Sequence, residues 1–173
     1  MSADARPVFL TGFMGSGKSA VGERLAALMG RRFIDTDRLI EKREGRSVEA
    51  VFAESGEGYF RGVEWETVQD LEQEGEAVVA TGGGVFLGWA QRNWLKGRGL
   101  TVWLDVPLAV ARERLGEGPG RPLWEPDDPL AVRALFEKRR AVYALAEIRV
   151  DVSGAGIERI ARQVLERLER FSR

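Results

Sequence analysis

The sequence predicts an α/β fold in which a parallel sheet is covered by helices on both faces, a three-layer α/β/α arrangement. Two observations carry this. Five short apolar runs alternate with stretches of helical periodicity, the pattern of parallel strands joined by crossover helices. The first run also empties into a glycine loop that opens directly into a helix, so strand, loop and helix follow without a break.

The elements follow in order. Val8 to Leu10 is the first strand, and Val21, Leu25, Leu28 and Met29 mark the apolar stripe of the first helix, which Gly30 stops. Arg32-Phe33-Ile34-Asp35 reads as a second strand. Asp37 to Arg43 and Ser47 to Glu54 read as two short helices around Gly45, with Ser47 as N-cap. A longer helix covers about Gly58 to Glu74. Ala77 to Ala80 is a buried strand ending in Thr81-Gly82-Gly83-Gly84. Trp89 to Lys96 is helical, and Leu100 to Asp105 is a strand closed by Pro107. Leu108 to Leu115 is a helix that runs into the Gly/Pro loop from Gly116 to Pro122. Pro129 to Ala146 is helix, Ile148 to Val152 the last strand, and Ile157 to Phe171 a closing amphipathic helix. With 173 residues, no internal repeat and no linker, residues 1–173 are expected to form one domain.

Composition narrows the chemistry. A net charge of -1 argues against a general nucleic-acid or membrane surface. No apolar run approaches the length of a membrane span, and the first six residues are too short and polar for a signal peptide, so a cytoplasmic protein is expected. There is no Cys and no His, which removes thiol nucleophiles, imidazole bases and His metal sites. A proton acceptor must then be a carboxylate, Lys, Tyr or water. The 26 basic residues include only four Lys, at positions 18, 42, 96 and 138. Lys18 lies in the glycine loop, where a compact point charge is wanted.

Gly12 to Ser19 fits G-x-x-x-x-G-K-[ST], the loop whose backbone N–H groups curl around phosphates at the positive end of a helix. Gly15, Ser16, Gly17, Lys18, Ser19 and Ala20 are therefore the candidate ATP-binding residues. Lys18 would reach the β- and γ-phosphates, and the Ser19 hydroxyl would hold Mg²⁺. In open parallel sheets ligands bind at the carboxyl ends of the strands. The loop after strand one, Asp35 to Asp37 after strand two and Gly82 to Gly84 after strand three should converge on one crevice.

Asp35-Thr36-Asp37 points two carboxylates to one side of an extended backbone, about 6–7 Å apart. Asp35 would support the Mg²⁺ shell and Asp37 would accept the proton of a hydroxyl under phosphorylation. The competing reading is that either carboxylate only caps the next helix. Gly82, Gly83 and Gly84 offer unhindered backbone donors, or merely a tight turn. Arg61 has Glu57 at i−4 and Glu64 at i+3, the spacing of a surface ion pair. Arg139 interrupts the apolar stripe Val132, Leu135, Phe136, Val142, Tyr143 and Ala146, and a guanidinium facing inward there wants an anion. Its fork geometry suits a carboxylate. Arg140 falls on the polar face with Arg133, Glu137 and Glu147. Arg121 sits in the Gly/Pro loop, either a lid that brings a cation to the phosphates or a plain surface loop.

Together these residues resemble the shikimate kinase family, small enzymes of the nucleoside-monophosphate-kinase-like P-loop class, over nearly the whole chain. Phe33-Ile34-Asp35-Thr36-Asp37, Glu57-Gly58-Tyr59-Phe60-Arg61, Thr81-Gly82-Gly83-Gly84, Arg121-Pro122-Leu123 and Lys138-Arg139 followed by Tyr143 carry the likeness. The resemblance implies sheet order 2-3-1-4-5, a substrate-binding insert over residues 33–61 and a lid over 116–127. It implies that Asp37, Arg61, Gly83 and Arg139 bind shikimate, with both arginines on its carboxylate and Asp37 and Gly83 near the 3-hydroxyl. Arg121 would contact the ATP phosphates and Arg114 would stack on adenine. The sequence departs from the family at Ala20, where many members carry Thr, and at Ser153 to Gly156, which lacks a proline that some members place against the base. The activity implied is Mg²⁺- and ATP-dependent phosphorylation of shikimate by a monomer. A gluconate kinase and a slow nucleotide-hydrolysing switch are the alternatives. No Asn-Lys-x-Asp guanine motif is present.

Overall fold

The computed structural model describes residues 5–116, 123–124 and 127–171. Five parallel strands, β1 (Val8–Thr11), β2 (Arg32–Asp35), β3 (Ala77–Ala80), β4 (Leu100–Asp105) and β5 (Ile148–Asp151), form one sheet in the order β2-β3-β1-β4-β5. β1 is central and wholly buried, with Val8 opposite both Val78 and Leu100, so its carboxyl end opens at the middle of the sheet's upper edge. Asp35 is level with Ala80 in the β2–β3 register, which brings the carboxylate pair beside the glycine triplet.

The crossover helices are α1 (Lys18–Met29), α2 (Thr36–Glu44), α3 (Val48–Asp70), α4 (Trp89–Arg98), α5 (Leu108–Leu115), α6 (Pro129–Tyr143) and α7 (Ile157–Phe171). Their apolar stripes cover the sheet because β1, β3 and β4 leave no polar side for water: all their residues are buried. α7 buries Ile160, Ala161, Val164 and Leu168 while Arg24 of α1 reaches Glu158 at its start. Among the described residues no helix is long and apolar enough to cross a membrane.

A second apolar cluster stands apart from this core. Ile40 of α2 packs with Val51, Phe60 and Val63 of α3, and Phe52 lies 4.5 Å from the Phe60 ring. α2 and the first half of α3 therefore have their own small core over the crevice, which lets them hold side chains above the sheet rather than against it.

Boundaries differ from the sequence reading in a few places. The two helices expected on either side of residues 55–57 run together, broken only by Gly56 in an extended, positive-φ conformation. α6 ends at Tyr143 rather than Ala146, and β5 at Asp151 rather than Val152. α4 instead runs on to Arg98, and α3 stops at Asp70 in a 3₁₀ turn over Leu71–Gln73. The 3₁₀ turn Val85–Leu87 after the glycine triplet carried no periodic signal of its own. Most of the expected lid falls outside the described residues, Arg121 included. Its flanks are tied together by the Trp124 indole, which donates to the Gly116 carbonyl at 3.0 Å.

Candidate active site

The loop after β1 turns over three glycines with positive φ, at positions 12, 15 and 17. The first has no room for a side chain: a β-carbon on Gly12 would sit 2.7 Å from the Leu104 carbonyl. Gly17, at φ 87°, is the residue from which α1 springs, so the amino end of that helix faces the crevice. Lys18 folds over the loop, donating from Nζ to the carbonyls of Gly12 at 2.9 Å and Phe13 at 3.3 Å. Ser16 lies beneath, wholly buried, with its N–H committed to Phe13 and its hydroxyl without a partner among the described residues.

Across from the loop, the Ser19 hydroxyl donates to Asp35 Oδ2 at 2.5 Å. The other Asp35 oxygen accepts from the N–H groups of Asp37 at 3.0 Å and Arg38 at 3.3 Å, capping α2. The cap reading of this carboxylate is thus met, and its second oxygen is turned to Ser19. The cap fixes its direction, and the direction faces Ser19. Asp37 enters the first turn of α2, where the helix dipole favours negative charge.

The glycine triplet is clamped from three sides. Thr81 Oγ1 donates to Leu10 O at 2.9 Å, Gly82 N donates to Thr36 Oγ1 at 2.9 Å, and Tyr143 donates its hydroxyl to Gly83 O at 2.7 Å. A β-carbon on Gly82 would reach Asp37 and Glu64, one on Gly83 would lie 3.7 Å from the Arg139 guanidinium, and one on Gly84 would fall on the Arg61 guanidinium. The triplet is thus bare because four charged side chains close over it. Asp37, Glu64, Arg61 and Arg139 surround the same few atoms of backbone.

Arg139 is 6% exposed, and its Nε has no hydrogen-bond partner among the described residues. It faces the crevice, as the interrupted stripe implies. Arg140 turns away to bind Asp105 at 3.3 Å, rather than sharing a surface with Glu147, whose carboxylate is taken by Thr101 and Lys96. Arg61 pairs with Glu57 at 3.2 Å and Glu64 at 2.8 Å, but Glu64 is almost fully buried, so this is no ordinary surface pair. Burial works against the Arg61 charge, yet Glu64 and Glu57 outweigh it and keep its pKa above the usual value. Burial also pushes the Glu64 carboxyl up, with Asp37 adding to the shift and Arg61 and Arg139 opposing it. Tyr143 is raised to about 12, chiefly by burial, so its hydroxyl stays a donor.

These groups line one crevice of about 490 Å³. It holds Gly15, Gly17, Lys18, Ser19, Ala20, Asp35, Asp37, Arg61, the glycine triplet, Arg114 and Arg139; Ser16 is the one described candidate that does not line it. Arg114 donates to Gly15 O at 3.0 Å and Val152 O at 3.4 Å, bridging the phosphate loop to the end of β5. Sequence reasoning placed Glu64 only as a partner of Arg61, and Tyr143 in an apolar stripe and in the family likeness, with no role of its own. The signal for Glu64 was available: a carboxylate one turn from Arg61 on the face that carries Phe60 and Val63. Thr36, a small hydroxyl between two aspartates, gave none.

Among the described residues no three His, Cys, Asp or Glu groups cluster to hold a metal. The Ser19–Asp35 pair offers only two oxygen ligands beside the phosphate loop. That fits Mg²⁺, which keeps waters and phosphate oxygens in most of its positions.

A glycine phosphate loop at the centre of a 2-3-1-4-5 sheet, with a carboxylate pair and two buried-side arginines around one crevice, defines a P-loop kinase of a small anionic molecule. Comparison with known proteins narrows the class. The chain belongs to the shikimate kinase family, whose sequence profile matches residues 14–169. It is 39% identical over 163 residues to the shikimate kinase of Persephonella marina, covering 94% of this chain and 99% of that one. The shikimate kinase of Acinetobacter baumannii in complex with shikimate superimposes with a TM-score of 0.92 at 30% identity, covering 97% of this chain and 95% of the other. A gluconokinase from Sinorhizobium meliloti superimposes with a TM-score of 0.62 at 21% identity over 96% and 93% of the two chains, a likeness of fold alone.

Proposed function

We propose that this chain transfers the γ-phosphoryl group of ATP to the 3-hydroxyl of shikimate, giving shikimate 3-phosphate and ADP. The observation that carries the proposal is the convergence of Arg61, Arg139 and Asp37 on the bare glycine triplet beside the phosphate loop. Membership of the shikimate kinase family supports it.

The geometry supports the following roles. Arg139, inward-facing and short of one partner, and Arg61, held by Glu57 and Glu64, clamp the substrate carboxylate. That fixes the ring so that its 3-hydroxyl lies between Asp37 and the triplet. Asp37 accepts the hydroxyl proton as the oxygen attacks phosphorus, and the ADP oxygen leaves on the opposite side. Lys18 exchanges its two loop carbonyls for phosphate oxygens and follows charge toward the leaving group. Ser19 and Asp35 would hold Mg²⁺, which neutralises triphosphate charge. Arg114 stacks on the base, and Arg121, outside the described residues, contributes from the lid. Residues 33–61 serve as the substrate-binding insert and 116–127 as the lid of one domain, residues 1–173. A monomer working in the cytoplasm on ATP and shikimate completes the reading.

Purified protein with Mg·ATP should release ADP only when shikimate and Mg²⁺ are both present. Release that is equal without shikimate, or faster with gluconate, overturns the proposal. Gluconate also carries a carboxylate and hydroxyls, but its flexible chain gives a fixed arginine pair less to hold in place.

A further inference from the structure

A second cavity of about 580 Å³ lies behind the two substrate arginines, between α3, α6 and the 3₁₀ turn at Val85–Leu87. Arg61, Glu64, Gly84, Leu123 and Arg139 line both it and the crevice; its remaining walls include Trp65, Leu87, Leu135 and Val142, all only partly buried. Trp65 is held in place edge-on against Trp94 at 5.7 Å. Lys138 lines the same cavity and is exposed, and it makes no ion pair or hydrogen bond with the described residues. The acids here, Glu57 and Glu64, are already bound to Arg61.

We propose that this cavity is a binding site for a small cyclic or aromatic carboxylate, seated with its ring on Trp65, Leu135 and Val142 and its carboxylate on Lys138. The size is that of a small-ligand site, and the composition is what such sites use: apolar walls with a few placed polar groups. Charge selects the ligand. Once Arg61 has neutralised part of the acid pair, the lining retains a positive excess from Lys138 and Arg139, so an anion is favoured and a cation is not. A flat Trp edge beside branched aliphatic carbons takes a ring in preference to a chain.

Position gives the site a consequence. Its ligand and the substrate lie on opposite sides of the same two guanidiniums, and an anion on one side draws on charge that the substrate carboxylate uses on the other. The occupant therefore acts as an inhibitor that raises the apparent KM for shikimate and leaves kcat unchanged. This consequence rests on the substrate reading above. The binding itself does not.

Phenylacetate is a suitable probe, with phenylacetamide as its neutral counterpart. Titration calorimetry on the full chain, without shikimate, should show phenylacetate binding and phenylacetamide binding at least about tenfold more weakly, the scale of a lost charge-assisted contact. Lys138→Ala, on an exposed position that does not threaten folding, should weaken phenylacetate about threefold, as an exposed pair predicts. Leu135→Trp, which fills the cavity, should abolish binding while leaving the shikimate KM within about twofold, since Leu135 does not line the crevice. Phenylacetate binding that survives Leu135→Trp and ignores Lys138→Ala would mean that the anion sits on the substrate arginines, and the proposal fails. No binding in the millimolar range also overturns it. Normal phenylacetate binding without shikimate turnover would instead overturn the substrate assignment and leave the cavity site standing.

Discussion

Arg139 and Arg140 are consecutive residues of α6 that serve different parts of the molecule. The first is buried beside Gly83 in the crevice, and the second reaches over the Trp103 ring to Asp105 at the end of β4. One turn of helix is 3.6 residues, so adjacent side chains diverge by about 100° and a single residue's shift in phase would exchange them. Arg139→Ala should weaken shikimate binding about 30-fold or more, since loss of one partner from a desolvated charge pair costs about 2–5 kcal/mol. Lys at 139 should recover only part, because an ammonium lacks the two-pronged geometry. Arg140→Ala should change binding by less than about fivefold, its side chain being 43% exposed and Asp105 retaining Arg149. Calorimetric titration with shikimate distinguishes the three variants, and a larger loss at 140 than at 139 would refute the clamp.

Gly84 is open to a sharper test. Its φ of −87° is accessible to alanine, so Gly84→Ala should fold normally. The new methyl group displaces the Arg61 guanidinium, the movable end of a long side chain. The nitrogen displaced is the one paired with buried Glu64, so the expected result is a melting temperature a few degrees lower together with a shikimate KM raised about tenfold, with the KM for ATP untouched. A fall in thermal stability with no change in KM would show that the triplet serves only the turn.

Asp35 and Asp37 separate by chemistry. Asp35→Asn keeps an oxygen to cap α2 but loses charge, so stability should hold while the Mg²⁺ concentration needed for half-maximal rate rises. Asp35→Ala loses the cap too, at about 1 kcal/mol, and should melt a few degrees lower. Asp37→Asn should leave both stability and Mg²⁺ response alone and lower kcat by about 10²–10⁴. Near-normal turnover in that variant would remove Asp37 from proton transfer.

Glu64 makes stability depend on pH. A carboxyl whose pKa is raised in the folded state binds its proton more tightly there than in the unfolded chain. Its contribution is therefore complete below about pH 4.5, its ordinary value, and is lost as pH rises through the higher folded value. Glu64→Gln has no proton to lose, so the melting temperature of the variant relative to the parent should climb as pH increases above 4.5. Differential scanning calorimetry across that range measures it. A relative melting temperature that falls with pH would mean that the Arg61 pair outweighs the burial.

Much of the site was readable because local spacing decides it. The phosphate loop is a continuous stretch whose Gly15, Gly17, Lys18 and Ser19 line one crevice, and the period of 3.6 that marks α6 also shows that Arg139 faces inward. Alternating apolar runs determined the parallel sheet, since strands buried on both faces have no polar positions to offer. Glu64, Thr36 and Tyr143 were another matter. Thr36 and Tyr143 reach the glycine triplet through partners 46 and 60 residues away in the chain, and Glu64, whose helix face alone was legible, meets Asp37 and Gly82 only in the folded chain. The surroundings of Asp35 likewise depended on tertiary structure: sequence offered cap or metal support as alternatives, and only the placement of α1 against β2 puts the Ser19 hydroxyl on the carboxylate that caps α2. The sequence alone determined which residues carry charge toward the crevice. Folding decided which of them meet, because burial, and the pairing it compels, belongs to the assembled sheet and helices and not to any segment by itself.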